Sequence, residues 1–207
     1  MDKTGISKAT LGRLPHYLQL LRELSDDNVP SISATVIAKK LSLGEVLVRK
    51  DLSVVSGAGK PKVGYKTVDL IKSIEAHLGQ GDMTNAVLVG AGKLGKALLE
   101  FDDFEDYGVK IIAAFDCNQN PIKYNRSIEI LPMNDFDEFC KKNNVKIGII
   151  TVGAGSAQNV CDRMVESGIT AIWNFAPCNL EVSDGILLKQ ERLALSLAYL
   201  NNKLSIM

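Results

Sequence analysis

Hydrophobic residues in the first eighty positions recur at intervals of three and four, the spacing that places side chains on one face of an α-helix. The first helix is predicted by four leucines, namely Leu11, Leu14, Leu18 and Leu21. Ser7 is the expected N-cap. Because proline lacks the N–H of a helix interior, Pro15 predicts that this helix begins near Leu14 or bends there.

Two more predicted helices enclose a short turn. The first covers residues 33–41 with Ser33 as N-cap, and the second covers residues 45–55 after a turn that contains Gly44. A helix, a tight turn with glycine and a second helix are the parts of a helix-turn-helix. Residues 56–65 are rich in Gly, Pro and Lys and predict a basic β-hairpin, or wing. A fourth helix between Val68 and Leu78 and a linker at residues 79–82 end this half.

From residue 85 the pattern changes. Apolar runs of strand length (residues 86–90, 109–115, 147–152 and 169–173) alternate with helix-period segments (residues 92–101, 134–143 and 155–167). Apolar strands bounded by helices predict a parallel sheet covered on both faces. The predicted fold class is therefore α/β: a winged helix-turn-helix DNA-binding domain at residues 1–80, a doubly wound Rossmann domain at residues 81–188, and a last apolar helix within residues 189–207.

The charges of the two halves have opposite signs. Residues 1–80 carry 12 Lys and Arg against 8 Asp and Glu, whereas the remainder carries 12 against 16, so the net charge is zero. The positive excess lies between Lys39 and Lys66, which indicates an anionic partner for the first half. No apolar run approaches the roughly 20 residues of a membrane span. A soluble, cytoplasmic protein without a membrane partner is expected.

The four cysteines are widely spaced, with no CxxC or Cys/His pairing, so no metal site is predicted. Cys140 and Cys161 fall in helical patterns and are interpreted as buried free thiols. A redox-active thiol at Cys117 stays open.

A glycine loop, GxGxxG, runs from Gly90 to Gly95 between a predicted strand and a predicted helix. Gly90 permits a tight turn, Gly92 lets the backbone approach a pyrophosphate, and Gly95 lets the helix pack closely on the strand. The helix N-terminus adds unpaired N–H groups. Asp116 ends the next strand, 21 residues beyond Gly95, where an acid binds ribose hydroxyls and repels a 2′-phosphate. These features predict binding of NAD(H) rather than NADP(H).

A second glycine loop, at residues 151–155, follows another predicted strand. Because the carboxyl ends of the strands line the ligand crevice, Val152 and Gly153 either lie beside the nucleotide or merely open the next helix. The only histidines, His16 and His77, belong to the helical half, and the nucleotide half shows no Lys-Tyr pair or metal cluster. It therefore shows no recognisable acid or base placed for hydride transfer. Binding without turnover is predicted, and the chain is not expected to be an enzyme.

Basic residues lie on the second helix of the predicted helix-turn-helix and in the wing that follows it. Arg49 and Lys50 on its second helix suit a major-groove contact. Lys60 and Lys62, on either side of Pro61, suit phosphate or minor-groove contacts from the wing. The alternative is a solvated charged face.

Six short segments are distinctive together: residues 13–18 (Arg-Leu-Pro-His-Tyr-Leu), 48–53 (Val-Arg-Lys-Asp-Leu-Ser), 59–65 (Gly-Lys-Pro-Lys-Val-Gly-Tyr), the glycine loop through Leu98, 114–116 (Ala-Phe-Asp) and 174–177 (Asn-Phe-Ala-Pro). In this order and spacing they resemble one family, the redox-sensing transcriptional repressors called Rex. The resemblance extends from about residue 6 to residue 204. It implies a homodimer with an exchanged, domain-swapped C-terminal helix, and repression of fermentative and respiratory genes at palindromic operators that is relieved when NADH rises.

The resemblance also assigns residues. The expected DNA-binding residues are Arg13, Arg49, Lys50, Ser53, Lys60, Pro61, Lys62 and Tyr65. The expected NADH and NAD+ contacts are Gly90, Ala91, Gly92, Lys93, Leu94, Gly95, Asp116, Cys117, Val152, Gly153 and Leu193, the last beside the nicotinamide.

The chain departs from the family pattern at a few positions. Residues 54–57 read Val-Val-Ser-Gly where members often carry Tyr-Phe-Gly. In some members an Arg of the first helix is coupled to a Tyr and to an Asp. This chain keeps the arginine as Arg13 but has Phe101 in place of the tyrosine. In place of the aspartate it has Arg192, or Glu191 if the alignment shifts by one residue. Phe101 and Arg192 keep open the alternative of a regulator that has lost its ligand response. A separate alternative is a nicotinamide oxidoreductase or CoA-binding fragment with a helical N-terminal extension.

Overall fold

A computed structural model of the chain describes residues 6–61, 63–78, 83–101, 103–117, 122–124 and 128–205. The chain divides into two compact units, Met1–Asp82 and Met83–Met207. The predicted linker at residues 79–82 lies outside the described residues. Within the described parts of the chain, no helix combines the length and the apolarity needed to cross a membrane.

The first unit is a winged helix-turn-helix. Its elements are α1 (Lys8–Asp26), β1 (Ser31–Ile32), α2 (Ala34–Lys40), α3 (Glu45–Ser56), β2 (Tyr65–Lys66) and α4 (Thr67–His77). The four helices confirm the predicted order. The two short strands pair antiparallel and were missed, because two residues are too few to show a strand period.

Helix α1 begins where its cap predicts. The hydroxyl oxygen of Ser7 accepts the N–H of Thr10 at 3.1 Å, and Ser33 caps α2 in the same way through Val36 at 3.3 Å. Pro15 lies inside α1, so of the two predicted alternatives a helix that begins near Leu14 is excluded, and a bend at Pro15 stays a prediction. Complete burial of Leu14, before Pro15, and of Leu18 and Leu21, after it, outweighs the one hydrogen bond that proline removes.

The second unit alternates strands and helices. Its first part contains β3 (Thr84–Val89), α5 (Lys93–Leu99), α6 (Asp103–Asp106), β4 (Val109–Asp116), β5 (Ile122–Lys123) and β6 (Glu129–Pro132). Its second part contains α7 (Phe136–Lys142), β7 (Ile147–Ile150), α8 (Ala154–Glu166), β8 (Ala171–Asn174), β9 (Leu187–Gln190) and α9 (Leu193–Leu204).

The strands form one sheet in the order β5-β6-β4-β3-β7-β8-β9, parallel except for β5. Alternate residues of β3 belong to two separate hydrophobic clusters. Val87 and Val89 lie in one cluster, and Ala86 and Leu88 lie in the other. The sheet is thus covered on both faces, and the predicted Rossmann domain is confirmed. The chain crosses from one side of β3 to the other between β4 and β7, so the carboxyl ends of β3 and β7 border the topological switch point where such sheets bind ligands.

Helix α9 has no buried residue. Its apolar side chains are between 58% and 72% exposed; they are Leu193, Leu195, Leu197, Tyr199, Leu200 and Leu204. The prediction of an exchanged C-terminal helix is not tested by a single chain.

Candidate functional sites

The glycine loop after β3 is shaped by close packing at two of its glycines. Gly90 has a φ of +104°, and a Cβ there would lie 2.9 Å from the backbone nitrogen of Val152. A Cβ on Gly95 would lie 2.1 Å from the carbonyl oxygen of Gly90. Only glycine fits at either position, since any side chain would separate α5 from β3 or push apart the loops that follow β3 and β7.

Gly92 has the opposite surroundings. A Cβ on Gly92 would meet nothing within 4 Å, and the same holds for Gly153 and Gly155 in the second glycine loop. The two loops are joined by Thr151, whose hydroxyl donates to the carbonyl oxygen of Gly90 at 2.7 Å and whose N–H donates to that of Val89 at 2.9 Å. Two joined glycine loops therefore border an open space at the switch point.

Asp116, the last residue of β4, lies against the glycine loop. Its Oδ2 accepts the N–H of Ala91 at 2.7 Å, and its Oδ1 accepts the N–H of Cys117 at 2.7 Å. The predicted acid and the predicted glycines thus meet in one place. A carboxylate held here has the position and the charge to accept two ribose hydroxyls.

Cys117 is exposed, and its thiol donates to Oδ1 of Asp116 at 3.1 Å. That hydrogen bond to a carboxylate raises the pKa of the Cys117 thiol above its ordinary value. Because the thiolate is the reactive form, this environment opposes redox chemistry at Cys117. Cys140 and Cys161 are buried, as predicted, and burial raises the pKa of each.

The remaining predicted nucleotide residues fall into two groups. Lys93 and Leu94 open α5 and are exposed next to Gly92, and Val152 is half-buried in the second loop. Leu193 begins α9 and is 65% exposed, so it is not enclosed by a crevice within one chain. In the part of the chain that the structure describes, no cluster of three or more His, Cys, Asp or Glu side chains could hold a metal ion.

A groove of about 650 Å³ runs between the helix-turn-helix and the wing. Six predicted DNA-binding residues line it together: Arg49, Lys50, Ser53, Lys60, Pro61 and Tyr65. Other lining residues include Ser33, Thr35 and Val46. Sequence reasoning missed these three, although Val46 lies one helical turn before Lys50 and therefore on the same face of α3.

The wing is a tight hairpin. Lys60 and Gly64 exchange two backbone hydrogen bonds of 2.8 Å each, and β2 follows directly. Gly64 has a φ of +82°, and a Cβ there would lie 2.3 Å from the carbonyl oxygen of Ile32, so glycine fixes the turn against β1. Lys62 lies outside the described residues.

The exposed surface of α3 carries two basic side chains. Arg49 is exposed and forms an ion pair with Glu45, one turn earlier, and Lys50 is exposed beside it. The hydroxyl of Ser53 donates to the carbonyl oxygen of Lys50 at 2.8 Å. These side chains are free of the core and can reach into a nucleic-acid groove.

Arg13, also predicted to bind DNA, does not line the groove. Its guanidinium donates from Nε to Oδ2 of Asp51 at 2.6 Å and from Nη2 to Oδ1 at 2.9 Å. The hydroxyls of Tyr17 and Thr10 donate to the same carboxylate at 2.7 and 2.9 Å. Three side chains of α1 thus anchor the buried face of α3 through one acid.

The cluster is an ion pair between the buried carboxylate of Asp51 and the half-buried guanidinium of Arg13. Burial of Asp51 raises its pKa, but the hydrogen bonds from Arg13, Tyr17 and Thr10 outweigh that effect, so the pKa is lowered. Burial and the adjacent carboxylate raise the pKa of Tyr17 to about 12. The sequence indicated part of this cluster, because Thr10, Arg13 and Tyr17 are spaced by three and four residues and therefore lie on one face of α1.

Comparisons with known proteins cover both units. Residues 5–53 match the family model described as "Putative DNA-binding protein N-terminus", and residues 82–178 match the "CoA binding domain" model. The redox-sensing transcriptional repressor Rex of Porphyromonas gingivalis is 36% identical over 97% of this chain and 93% of its own length. The Rex of Desulforamulus reducens is 36% identical over 100% of this chain and 99% of its own length.

The chain belongs to the Rex family. Among solved structures, the Rex-family repressor RSP in complex with β-NAD+ and operator DNA is 32% identical, with a TM-score of 0.88 over 96% of this chain and 92% of RSP. RSP in complex with β-NADH gives a TM-score of 0.85 over 98% of this chain and 95% of RSP. Both units and α9 of this Rex-family chain thus have counterparts in repressors of nearly the same length.

Proposed function

We propose that this Rex-family chain is a redox-sensing transcriptional repressor, not an enzyme, that binds operator DNA as a homodimer and releases it when NADH binds. The observation that carries the proposal is the likeness, over nearly the whole chain, to RSP in complex with β-NAD+ and operator DNA. The glycine loop with Asp116 and the basic groove supply the two binding surfaces that this function needs.

The nucleotide is NAD(H). Its pyrophosphate approaches the open backbone at Gly92, and its adenosine ribose bonds to Asp116. A 2′-phosphate is repelled by the Asp116 carboxylate, so NADP(H) binds less tightly. The wider set of nucleotide contacts is Gly90, Ala91, Lys93, Leu94, Gly95, Cys117, Val152 and Gly153, with Leu193 beside the nicotinamide.

The operator is bound by the groove-lining face of the first unit. Helix α3 enters the major groove with Arg49, Lys50 and Ser53, while Lys60, Pro61, Lys62 and Tyr65 of the wing contact the phosphates or the adjacent minor groove. Arg13 acts indirectly, because it holds α3 through Asp51. Repression of chromosomal genes places the protein in the cytoplasm.

Dimerisation explains α9. A helix with six exposed apolar side chains leaves a large apolar surface in water, and burial against a second copy removes it. The chain then has three functional parts: residues 1–80 for DNA, residues 81–188 for the nucleotide, and residues 189–207 as the exchanged helix. Two first units in one dimer meet successive half-sites one helical turn apart.

Ligand response follows from differential affinity. A nicotinamide form that binds one domain arrangement more tightly shifts the population toward it by that difference and no more. Reduced nicotinamide is uncharged, so an apolar surface around Leu193 prefers NADH to the cationic NAD+.

Calorimetry of the purified dimer with NADH, NAD+ and NADPH tests the nucleotide site. Wild type is expected to bind both NADH and NAD+, and to bind NADPH at least tenfold more weakly than NADH. Asp116→Ala is expected to weaken NADH binding about tenfold or more, because the hydrogen bonds to the ribose are lost. Asp184→Ala, an exposed acid outside both loops, is the matched control and retains wild-type affinity. Absence of binding by either NADH or NAD+ would contradict the proposal.

A further inference from the structure

Among the described residues that line the groove, one carries a branched aliphatic side chain and lies beside the basic residues. Val46, the second residue of α3, is 67% exposed and lines the groove with Arg49, Lys50 and Ser53. The spacing from Val46 to the other three is three, four and seven residues, so all of them share one face of the helix. This face is the one that the proposed function directs at DNA.

Two other residues of α3 show that exposure alone does not single out Val46. Val54 is 54% exposed and Leu47 is 39% exposed, but neither is among the residues that line the groove. Single exposed apolar side chains are ordinary on protein surfaces and need no partner. The distinguishing observation is therefore the position of Val46, on the first turn of α3 and inside the groove.

The first turn is also the part of a recognition helix that contacts base edges. The major groove presents hydrogen-bond donors, acceptors and one apolar group, the 5-methyl group of thymine. An isopropyl side chain forms no hydrogen bond, so the thymine methyl is the one base-edge feature that it can recognise. Arg49 and Lys50, one turn further on, are suited to the guanine acceptors instead.

We propose that Val46 is a specificity-determining residue that packs against the 5-methyl group of a thymine in each operator half-site. The inference rests on the proposed DNA-binding function and adds a base preference to it. Cytosine and uracil lack the methyl group, so either base at that position loses the contact. Burial of one methyl group corresponds to about a fourfold change in affinity per half-site.

The test begins with selection of duplexes that bind the full-length wild-type dimer from a random pool. In the selected operator, each thymine is then replaced singly by deoxyuridine, symmetrically in both half-sites, and dissociation constants are measured by fluorescence anisotropy. Wild type, Val46→Ala, Leu47→Ala and Val54→Ala are compared. All three substitutions remove an exposed side chain and replace it by a better helix former, so folding is retained, which circular dichroism checks.

For wild type, deoxyuridine at one thymine position is expected to weaken binding about fourfold per half-site, or roughly tenfold or more for the symmetric operator. Val46→Ala is expected to weaken binding to the thymine operator by a similar factor and to make deoxyuridine at that position neutral. Leu47→Ala and Val54→Ala are expected to keep the full wild-type methyl effect.

Other outcomes distinguish a failure of the Val46 assignment from a failure of the proposed function. If wild type binds its operator but no methyl effect depends on Val46, or if Leu47→Ala or Val54→Ala abolishes the effect instead, the assignment of Val46 is overturned while the proposed function stands. If selection returns no duplex, the proposed function fails and the assignment of Val46 fails with it.

Discussion

Helices α1 and α9 carry similar leucine-rich patterns in opposite surroundings. Leu14, Leu18 and Leu21 of α1 are completely buried, whereas Leu197 and Leu200 of α9 are 69% and 58% exposed. Helix α1 packs against α4 within its own unit. An apolar helical face therefore predicts burial but does not say which copy of the chain provides the covering surface.

The two helices also differ in what fixes them. Helix α1 has a Ser7 cap and is bonded to α3 through the Asp51 cluster. Helix α9 has no side-chain cap at its N-terminus, and a helix of 12 residues is marginal in water without packing. We therefore expect substitutions in α1 to change the stability of the folded unit, and substitutions in α9 to change association.

The largest expected effect comes from the buried acid under α3. Asp51→Ala should lower the free energy of unfolding of the first unit by about 3–5 kcal/mol, because it leaves the Arg13 guanidinium without its partner in a largely buried cluster. Urea unfolding followed by circular dichroism measures the loss. Trp173, the only tryptophan, belongs to the second unit, so its fluorescence transition should stay unchanged. Asp69→Ala, an exposed acid on α4, should cost less than about 1 kcal/mol.

Next in size is truncation of a buried leucine of α1. Leu18→Ala should lower the free energy of unfolding by roughly 2–5 kcal/mol at any protein concentration, because a cavity is left in the core of a single chain. The measurement is urea unfolding at two protein concentrations tenfold apart. A loss below about 1 kcal/mol would show that α1 is not the internal helix described above.

The corresponding change in α9 should act on the dimer. The double variant Leu197→Ala, Leu200→Ala should raise the dimer dissociation constant at least tenfold, since two apolar side chains no longer become buried on association. Sedimentation velocity over a range of concentrations measures this. The Trp173 transition extrapolated to low concentration should not move, and an unchanged dissociation constant would contradict the role given to α9.

The smallest expected effects are changes with pH in the α1 cluster. The pKa of Asp51 is lower in the folded state than its unfolded value near 3.8. The ionised carboxylate therefore stabilises the folded unit above pH 3.8, and this stabilisation is lost as the pH falls through the folded-state pKa. The pKa of Tyr17 is raised to about 12, so its contribution is present below about 10 and is lost as the pH rises through 12. Asp51→Asn should flatten the acid limb and Tyr17→Phe the alkaline limb of stability against pH, whereas the α9 double variant should keep both. If these variants leave the acid and alkaline changes in stability unaltered, the changes arise from other titratable groups.

Local patterns were enough to predict much of the molecule. The glycine loop was predicted because its three glycines stand close together in the sequence, and Asp116 because it ends the next predicted strand at the spacing expected of a ribose-binding acid. The helices of the first unit were predicted from their spacing and caps. Strand β6 was missed, because four residues beside the edge of the sheet carry no clear alternation.

The Arg13 assignment shows what a pattern alone does not contain. The resemblance assigned Arg13 to DNA, but its partner in the structure is the carboxylate of Asp51, 38 positions away. Such a pairing depends on the packing of α1 against α3, which is a property of the fold. In the proposed dimer a second chain covers α9, and the residue spacing within one chain does not predict such a contact.

The central claim, that this protein couples the redox state of its nucleotide to operator binding, is tested most directly by titrating NADH and NAD+ separately into the dimer bound to its selected operator. Fluorescence anisotropy gives the operator dissociation constant at each nucleotide concentration. NADH is expected to weaken operator binding by at least tenfold more than NAD+ does. Equal effects of the two nucleotides would contradict redox sensing, and operator binding that ignores both would identify a repressor that has lost its ligand response.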